Sequence, residues 1–149
     1  MPDALRERAL RLLARREHTR QELMDKLAAQ AEGPQELSAV LDDLGSSGLQ
    51  SDCRYASSRL RARAERFGDA RLAHELRAKG VADELVNAAL TGAEDELTRA
   101  RRVWARRFGQ QPAAPGDAAE RARQMRFLAG RGFSAETIRR VLRAAPDDE

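Results

Sequence analysis

Apolar side chains recur every three or four positions along most of the chain, a spacing that places them on one face of an α-helix. Capping residues and glycine or proline breaks divide the pattern into nine short helices. Thr19 and Glu22 predict the start of the second helix, because Thr-x-x-Glu is a capping box in which each side chain accepts a hydrogen bond from the other residue's backbone amide. Caps of the first, fourth, eighth and ninth helices are predicted at Asp3, Asp52, Asp117 and Ser134. The chain is therefore predicted to be all-α.

Glycine and proline indicate where these helices end. Gly33-Pro34 separates the second helix from the third, since proline is tolerated at a first helical position. Gly80 follows the fifth helix, in a place that suits a left-handed C-terminal residue. The longest linker is predicted at 109–116, between a seventh helix that begins near Glu94 and the eighth helix.

The nine helices form three groups of three, and the groups repeat. With Leu27, Leu76 and Leu128 as anchors, the residues ten, thirteen and fourteen positions further on are apolar in every group: Leu37, Val40 and Leu41; Val86, Ala89 and Leu90; Ile138, Val141 and Leu142. We predict three three-helix repeats over residues 1–51, 52–92 and 93–149, the last with an acidic tail. A unit of this size is barely stable alone, so the repeats are expected to pack end to end into an elongated body that can be curved.

Composition supports a helical chain and argues against a sheet. Alanine, leucine, arginine, glutamate and lysine supply 86 of the 149 residues, whereas valine, isoleucine and threonine together supply ten. β-Branched side chains fill pleated surfaces, while straight ones lose the least freedom in helices. At this length the chain is also too short for two conventional cores, which argues against a multidomain enzyme.

Residue types that carry enzyme chemistry are scarce. His18 and His74 are the two histidines, and neither has a cysteine or carboxylate partner at metal-ligand spacing. The sequence has no phosphate-binding glycine loop and no nucleophile elbow. Cys53 is the single cysteine, so no internal disulfide is expected. We therefore expect a non-enzymatic protein without cofactor or metal, and a cytoplasmic one, because no run is apolar enough for a membrane span.

Arginines recur at helical spacing on the leading helix of each repeat: Arg8, Arg11 and Arg15; Arg59, Arg63 and Arg66; Arg99, Arg102 and Arg106. If the repeats stack in register, these stripes form a basic track for an acidic protein groove or a phosphate backbone. The alternative is a solvated face whose charge is balanced by acidic neighbours, since the formal net charge is only +3. The first repeat is net −2 and the others are +2 and +3, so a polyanion is expected to prefer the last two.

Four segments in series resemble the RecX family of regulatory proteins: Arg15-Arg16-Glu17-His18-Thr19-x-x-Glu22-Leu23-x-x-Lys26-Leu27, Asp52-x-Arg54-Tyr55-Ala56, Leu72-x-x-Glu75-Leu76-x-x-Lys79-Gly80-Val81 and Arg131-Gly132-Phe133-Ser134-x-x-x-Ile138. Each segment is weak alone, but their order and spacing are fairly specific and extend over all three repeats. The first repeat departs from the family pattern at residues 31–34, where a Lys-Gly-aromatic turn is usual, and Cys53 stands where the family is mostly polar.

The resemblance implies a tandem three-helix-repeat protein that binds the RecA filament on single-stranded DNA, in its helical groove, and inhibits RecA's ATP hydrolysis, strand exchange and coprotease activity. A monomer with weak direct DNA contact is expected. Family motifs and arginine stripes together give the candidate contact residues: Arg15, Arg16, Arg54, Arg59, Arg63, Lys79, Arg99, Arg102, Arg106 and Arg131. One alternative is a helix-turn-helix-like DNA-binding protein that acts without RecA, because the turns between second and third helices are short. Another is an adaptor for an unrelated protein partner.

Overall fold

The computed structural model describes residues 2–110 and 113–144, and within these ranges it contains nine α-helices and no strand. The all-α prediction is confirmed. The helices are α1 (Pro2–Arg15), α2 (Arg20–Leu27), α3 (Pro34–Ser46), α4 (Asp52–Arg63), α5 (Asp69–Ala78), α6 (Asp83–Gly92), α7 (Glu96–Phe108), α8 (Ala118–Gly130) and α9 (Ala135–Ala144). No helix in the described ranges is long and apolar enough to cross a membrane. The acidic tail at 147–149 lies outside them.

Side-chain caps begin several helices where the sequence predicts them. The capping box is present, since the Thr19 amide donates to Glu22 Oε1 at 3.0 Å and the Glu22 amide donates to Thr19 Oγ1 at 3.0 Å. Asp117 accepts the amide of the third residue of α8 at 3.0 Å, and Ser134 accepts the corresponding amide of α9 at 3.1 Å. These three predictions are confirmed.

Three helix starts differ from the sequence prediction. Asp3 lies inside the first turn of α1 rather than before it. Asp52 is also a helical residue, and Ser51 is the residue whose hydroxyl accepts an amide of α4, from Arg54 at 3.1 Å. α7 begins at residue 96, with Asp95 as its cap, because the Asp95 carboxylate accepts the amide of the third helical residue. Neighbouring acidic residues compete for such positions, and the sequence alone does not rank them.

The described chain packs into two compact units, and the middle repeat contributes to both. The first unit comprises residues 1–58 and 76–86, and the second comprises 59–75 and 87–149. Each helix of the middle repeat therefore has one part in each unit. The repeat bounds 1–51, 52–92 and 93–149 stay a prediction.

In the first unit, α1, α2 and α3 pack against one another around a leucine-rich core. Its buried members come from the predicted apolar faces: Leu5, Ala9, Leu23, Leu27, Leu37, Val40, Leu41 and Leu44. In the second unit, α7, α8 and α9 enclose a larger core. It contains Ala100, Val103, Trp104, Phe108, Leu128, Phe133, Ile138, Val141 and Leu142. The apolar stripe after each anchor leucine is thus buried in the first and third repeats, while in the middle repeat Val86 is buried and Ala89 and Leu90 are half-buried.

Two glycine turns repeat with the same backbone geometry. Gly80 has φ +89° and Gly132 has φ +91°, the left-handed conformation that the spacing predicts. After each glycine, an amide returns to the anchor leucine: Val81 N–H donates to the Leu76 carbonyl at 3.1 Å, and the residue after Gly132 donates to the Leu128 carbonyl at 3.3 Å. In the first repeat a 3₁₀ segment, Ala28–Gln30, takes the place of this turn.

Each glycine turn lies against the second helix of the preceding repeat. A Cβ at Gly80 would come within 2.6 Å of Gln21 Cβ, and one at Gly132 within 2.4 Å of Arg71 Cβ. A hydrogen bond accompanies each contact. The first residue of the following repeat's leading helix accepts it from the first backbone amide of the preceding repeat's second helix. Asp52 accepts the α2 amide at 2.9 Å, and Glu96 accepts the α5 amide at 2.9 Å. Neighbouring repeats are thus joined in two ways: a glycine turn approaches the preceding repeat closely, and a side chain of the following repeat caps a helix of the preceding one.

Candidate partner-binding surfaces

A cleft in the second unit brings together four arginines from separate stretches of sequence. It has a volume of about 240 Å3, and we call it the arginine cleft. It is lined by Glu65, Arg66, Val103, Arg106, Arg107, Phe127 and Arg131. Val103 is buried and Phe127 is half-buried, so both supply apolar lining beneath the guanidiniums. The turn after α4, the outer side of α7 and the end of α8 position these residues.

Three of the four guanidiniums lie over aromatic rings. The Arg131 guanidinium lies 5.0 Å from the Phe127 ring centroid and 5.3 Å from that of Phe67. Arg107 lies 5.3 Å from Phe127. Arg66 lies 5.3 Å from Phe67. A cation over an aromatic face is attracted by the ring quadrupole, so these side chains are oriented before any partner arrives.

None of the four cleft guanidiniums has a carboxylate within 4.0 Å among the residues that the structure describes. Arg106 makes one long hydrogen bond, from Nη2 to the Glu65 carbonyl at 3.4 Å. The positive charge of the cleft is therefore not neutralised by ion pairing within this part of the chain. Such uncompensated charge in a concave, partly apolar site favours an anionic partner.

The arginines of the α4 stripe are engaged differently. Arg63 binds Glu75 with two parallel hydrogen bonds, of 2.7 and 2.8 Å, and only 20% of its side chain is exposed. Arg71 and Arg59 approach the same carboxylate at 3.4 and 3.9 Å. The hydrogen bond from Arg63 is the largest cause that lowers the pKa of Glu75 below its ordinary value. Arg59 and Arg63 are thus part of an internal ion-pair cluster around Glu75.

A second basic surface lies in the first unit, and we call it the α1 groove. It is lined by Arg8, Arg11, Leu12, Ala14, Arg15, Lys26, Leu27 and Gln30 and has a volume of about 480 Å3. The three arginines of the first stripe are all exposed there. No carboxylate of the described residues lies within ion-pair distance of them. The first stripe is therefore the one whose three arginines share an exposed, unpaired face.

Arg16 and Lys79 converge on the buried carboxylate of Glu22. Arg16 donates to both Glu22 oxygens at 3.2 Å, and Lys79 Nζ lies 3.6 Å from Oε2. Burial opposes ionisation of Glu22, but the hydrogen bonds from Arg16 and from the Thr19 amide outweigh it, so the pKa lies below the ordinary value. Arg54 pairs with Glu17 at 2.9 Å. These three candidate contact residues therefore have internal partners in the first unit.

A histidine next to this cluster was not anticipated as a structural element. His18 is buried, its Nδ1–H donates to the Arg16 carbonyl at 3.0 Å, and Lys26 Nζ donates to Nε2 at 3.2 Å. Burial is the main reason that the pKa of His18 is lowered, with the charges of Arg16 and Lys26 acting in the same direction. The neutral imidazole consequently links the Arg16 carbonyl to the Lys26 ammonium within the first unit.

Arg99 is the clear correction to the list of candidates. The sequence places it with Arg102 and Arg106 on one exposed side of α7, but only 2% of its side chain is exposed. All three guanidinium nitrogens donate within the second unit, to backbone carbonyls and to the Asp69 carboxylate, so this buried group is engaged internally. Arg102 is exposed, as expected, and pairs with the Glu94 carboxylate at 2.7 Å.

Sequence reasoning also passed over one member of the arginine cleft. Arg107 directly follows Arg106 and therefore lies outside the α7 stripe, whose members are three or four positions apart. Phe127 is half-buried, and both Arg107 and Arg131 lie over its ring. Two adjacent arginines before a predicted core aromatic, Arg106-Arg107-Phe108, are the signal that could have found it. No group of three or more metal-ligating side chains occurs in the described ranges.

The fold and these surfaces together define a class: a protein of tandem three-helix repeats that exposes arginine clusters on its surface. Family models match all three repeats in chain order, as the first, second and third three-helix domains of RecX, over residues 6–44, 51–90 and 94–142. The chain belongs to the RecX family.

Relatives support this assignment over nearly the whole length. The chain is 52% identical over 143 residues to "Regulatory protein RecX" of Leptothrix cholodnii, covering 95% of this chain and 89% of the relative. It is 48% identical over 146 residues to the protein of the same name from Chromobacterium violaceum, covering 98% and 93%. The crystal structure of RecX from Lactobacillus salivarius superimposes with a TM-score of 0.83 at 21% identity, covering 97% and 96% of the two chains, and shows the same fold.

Proposed function

We propose that this protein is a non-enzymatic negative regulator of the RecA recombinase. It binds the RecA filament on single-stranded DNA in the filament's helical groove, and thereby lowers ATP hydrolysis, strand exchange and coprotease activity. Membership of the RecX family supports a regulatory role, since its relatives carry that name. The observation that carries the proposal is that both compact units expose arginines with no carboxylate partner among the described residues, in the α1 groove and in the arginine cleft.

The mechanism is multivalent rather than catalytic. Each basic surface makes contacts that are weak alone, because exposed ion pairs contribute about 0–1 kcal/mol each. A filament presents the same subunit surface repeatedly, so a second contact forms at high effective concentration once the first is made. A monomer that contacts DNA directly only weakly, and that works in the cytoplasm, satisfies this scheme.

The ten candidate contact residues divide by their availability, and one of them, Arg99, is buried and available to no partner. Arg15, Arg106 and Arg131 carry guanidiniums with no carboxylate partner among the described residues. Six others hold internal ion pairs that would be shared with, or exchanged for, a partner: Arg16, Arg54, Arg59, Arg63, Lys79 and Arg102. Arg59→Glu with Arg63→Glu would place two new carboxylates beside Glu75, so it would test folding as much as binding. The α1 groove offers a cleaner variant.

The experiment measures RecA's DNA-dependent ATP hydrolysis at increasing amounts of the protein, together with co-sedimentation on single-stranded DNA with and without RecA. We expect slower hydrolysis at amounts up to equal with RecA, and sedimentation that depends on RecA. Arg11→Glu with Arg15→Glu should weaken inhibition with unchanged helicity, whereas Arg121→Glu, an exposed arginine outside both surfaces, should not. Unchanged hydrolysis at saturating protein would contradict the proposal.

A helix-turn-helix-like protein that binds DNA without RecA is the second candidate. Four residues separate α5 from α6, and four separate α8 from α9, which is the turn length of such motifs. Both turns carry a left-handed glycine that lies against the preceding repeat. This function requires tight binding to DNA alone, with affinity falling steeply as salt rises. Weak binding in a gel shift would exclude it.

A further inference from the structure

We propose that the arginine cleft of the second unit is a docking site for a short acidic segment of a protein, with one apolar side chain seated between the guanidiniums. This inference deepens the proposed function and rests on it, because it specifies the chemistry that the protein partner must present. Two properties of the cleft carry it: unpaired positive charge around the edge, and apolar side chains beneath.

The charge of the cleft requires an anionic partner. Arg66, Arg106 and Arg107 are exposed, Arg131 is half-buried, and the described residues offer none of them an ion-pair partner. Guanidiniums match carboxylates in planar, paired hydrogen bonds, which favours aspartate or glutamate side chains flanking the bound position. Glu65 also lines the cleft, so four guanidiniums face one carboxylate and the site keeps an excess of positive charge. The remaining repulsion costs free energy in the unbound protein, and binding of further carboxylates relieves it.

The shape and lining of the cleft favour a peptide over a nucleic acid. Its volume of about 240 Å3 lies below the roughly 300–1,000 Å3 of small-molecule pockets, so it accommodates one side chain. Val103 and Phe127 supply an apolar base that a bare phosphodiester backbone would leave unused. Proteins that bind single strands stack bases on free aromatic faces, but guanidiniums of Arg107 and Arg131 already lie over the Phe127 ring.

The test uses fluorescence anisotropy with a labelled peptide in which a leucine is flanked on both sides by glutamates. Companion probes are the same peptide with alanine for leucine, a peptide with lysines for the glutamates, and an oligothymidylate. We expect the leucine peptide to bind about ten-fold more tightly than the alanine peptide, because burying a leucine side chain stabilises a complex by roughly one such factor or more. The lysine peptide should not bind, and binding of the leucine peptide should weaken as salt rises.

Matched variants assign the binding to the cleft. Arg106→Gln with Arg107→Gln should weaken leucine-peptide binding about ten-fold, since two charge contacts are lost. Arg121→Gln with Arg126→Gln removes the same charge from exposed positions of α8 outside the cleft, and should change binding less than about two-fold. If the first variant loses helicity, the exposed Arg66→Gln substitutes for it, with about a three-fold loss expected.

Three results would overturn the assignment. The first is equal binding of the leucine and alanine peptides, and the second is equal binding by the cleft and control variants. The third is cleft-dependent binding of the oligothymidylate in place of the peptide, which would make the cleft a nucleic-acid site. RecA hydrolysis measured alongside separates the two proposals. A cleft that binds the peptide in a protein that leaves RecA unaffected refutes only the proposed function, whereas inhibition of RecA without peptide binding refutes only the docking site.

Discussion

Replacing Arg99 with methionine should destabilise the second unit more than any change at an exposed arginine. The guanidinium donates from Nε to the Glu94 carbonyl at 2.7 Å and from Nη1 to the carbonyls of Ala64 and Phe67 at 3.0 and 2.7 Å. Nη2 donates to the Asp69 carboxylate. Methionine keeps much of the apolar stem but removes all of these donors.

The expected cost follows from what remains after the substitution. A buried carbonyl left without a donor costs about 1–3 kcal/mol, and breaking a buried ion pair by removing one partner costs about 3–5 kcal/mol. Water can reach the Asp69 carboxylate, of which 40% is exposed, so the separate costs do not add in full. We expect a loss of about 3–5 kcal/mol. A folded domain is stable by only about 5–15 kcal/mol, so the loss is a large fraction of the whole.

Urea unfolding followed by circular dichroism measures this loss. For a slope near 2 kcal/mol per molar urea, the midpoint should fall by roughly 1.5–2.5 M. Arg102→Met is the matched control, because it removes the same charge from the same helix at an exposed position, and its midpoint should stay close to that of the unaltered protein. Arg99→Lys should fall between the two, since a point charge on a flexible stem cannot reach all four acceptors.

A midpoint for Arg99→Met within about 0.5 M of the unaltered protein would refute this reasoning, since it corresponds to only about 1 kcal/mol. It would mean that water replaces the guanidinium at the four acceptors and that the residue is dispensable for the fold. Arg99 would then return to the set of side chains available to a partner.

Three further predictions concern the turns, the ion pairs and the core. Gly132→Ala should lower stability by about 2–4 kcal/mol, because a left-handed conformation and a close contact both oppose a Cβ, whereas Gly116→Ala, with φ +82° and open space, should cost only about 1–2 kcal/mol in thermal unfolding. The pKa of Glu75 is lowered by folding, so its contribution to stability is present at neutral pH and lost as pH falls through the folded-state value. The stability gap between the protein and Glu75→Gln should therefore close on acidification below the ordinary glutamate pKa of 4.5, and a gap independent of pH would contradict the assignment. Gln124→Leu should cost about 1–3 kcal/mol and change the tryptophan fluorescence, because it leaves the buried Trp104 Nε1–H without its acceptor at 2.9 Å.

The helices and their order could be predicted from the sequence because local chemistry determines them. Apolar spacing, capping residues and left-handed glycines act over a few residues, and each leaves a pattern that can be read along the chain. The errors at Asp52 and Arg99 have another cause. Both side chains bind atoms more than 25 positions away in sequence, a helix amide for one and two carbonyls of the preceding repeat for the other. The spacing of residues along one helix cannot predict hydrogen-bond partners that are so distant in sequence.

The candidate surfaces were predictable only in part, for the same physical reason. The α1 groove lies mainly on one helix, so the periodicity of Arg8, Arg11 and Arg15 was sufficient to find it. The arginine cleft draws on a turn and two helices, and Arg106 and Arg131 were proposed on unrelated grounds, one from a stripe and one from a family motif. Whether an arginine is free or paired depends on which carboxylates the fold brings within 4 Å, and composition does not contain that information.

We call the junction of the first and second repeats the first joint, and that of the second and third repeats the second joint. The difference between them explains why Arg99, one arginine of the α7 stripe, is structural. At the first joint, Gln50 Nε2 donates to the His18 carbonyl, which immediately precedes the cap of α2, at 3.2 Å. At the second joint the equivalent carbonyl belongs to Phe67, and Arg99 supplies the donor, at 2.7 Å. The equivalent buried backbone acceptor is satisfied from a loop in one case and from a helix in the other. Because an unsatisfied buried carbonyl costs free energy wherever it occurs, each joint must recruit some donor, and at the second joint the donor comes from the basic stripe of α7. The arginines that remain exposed after this requirement is met are the ones that the proposed function assigns to a partner.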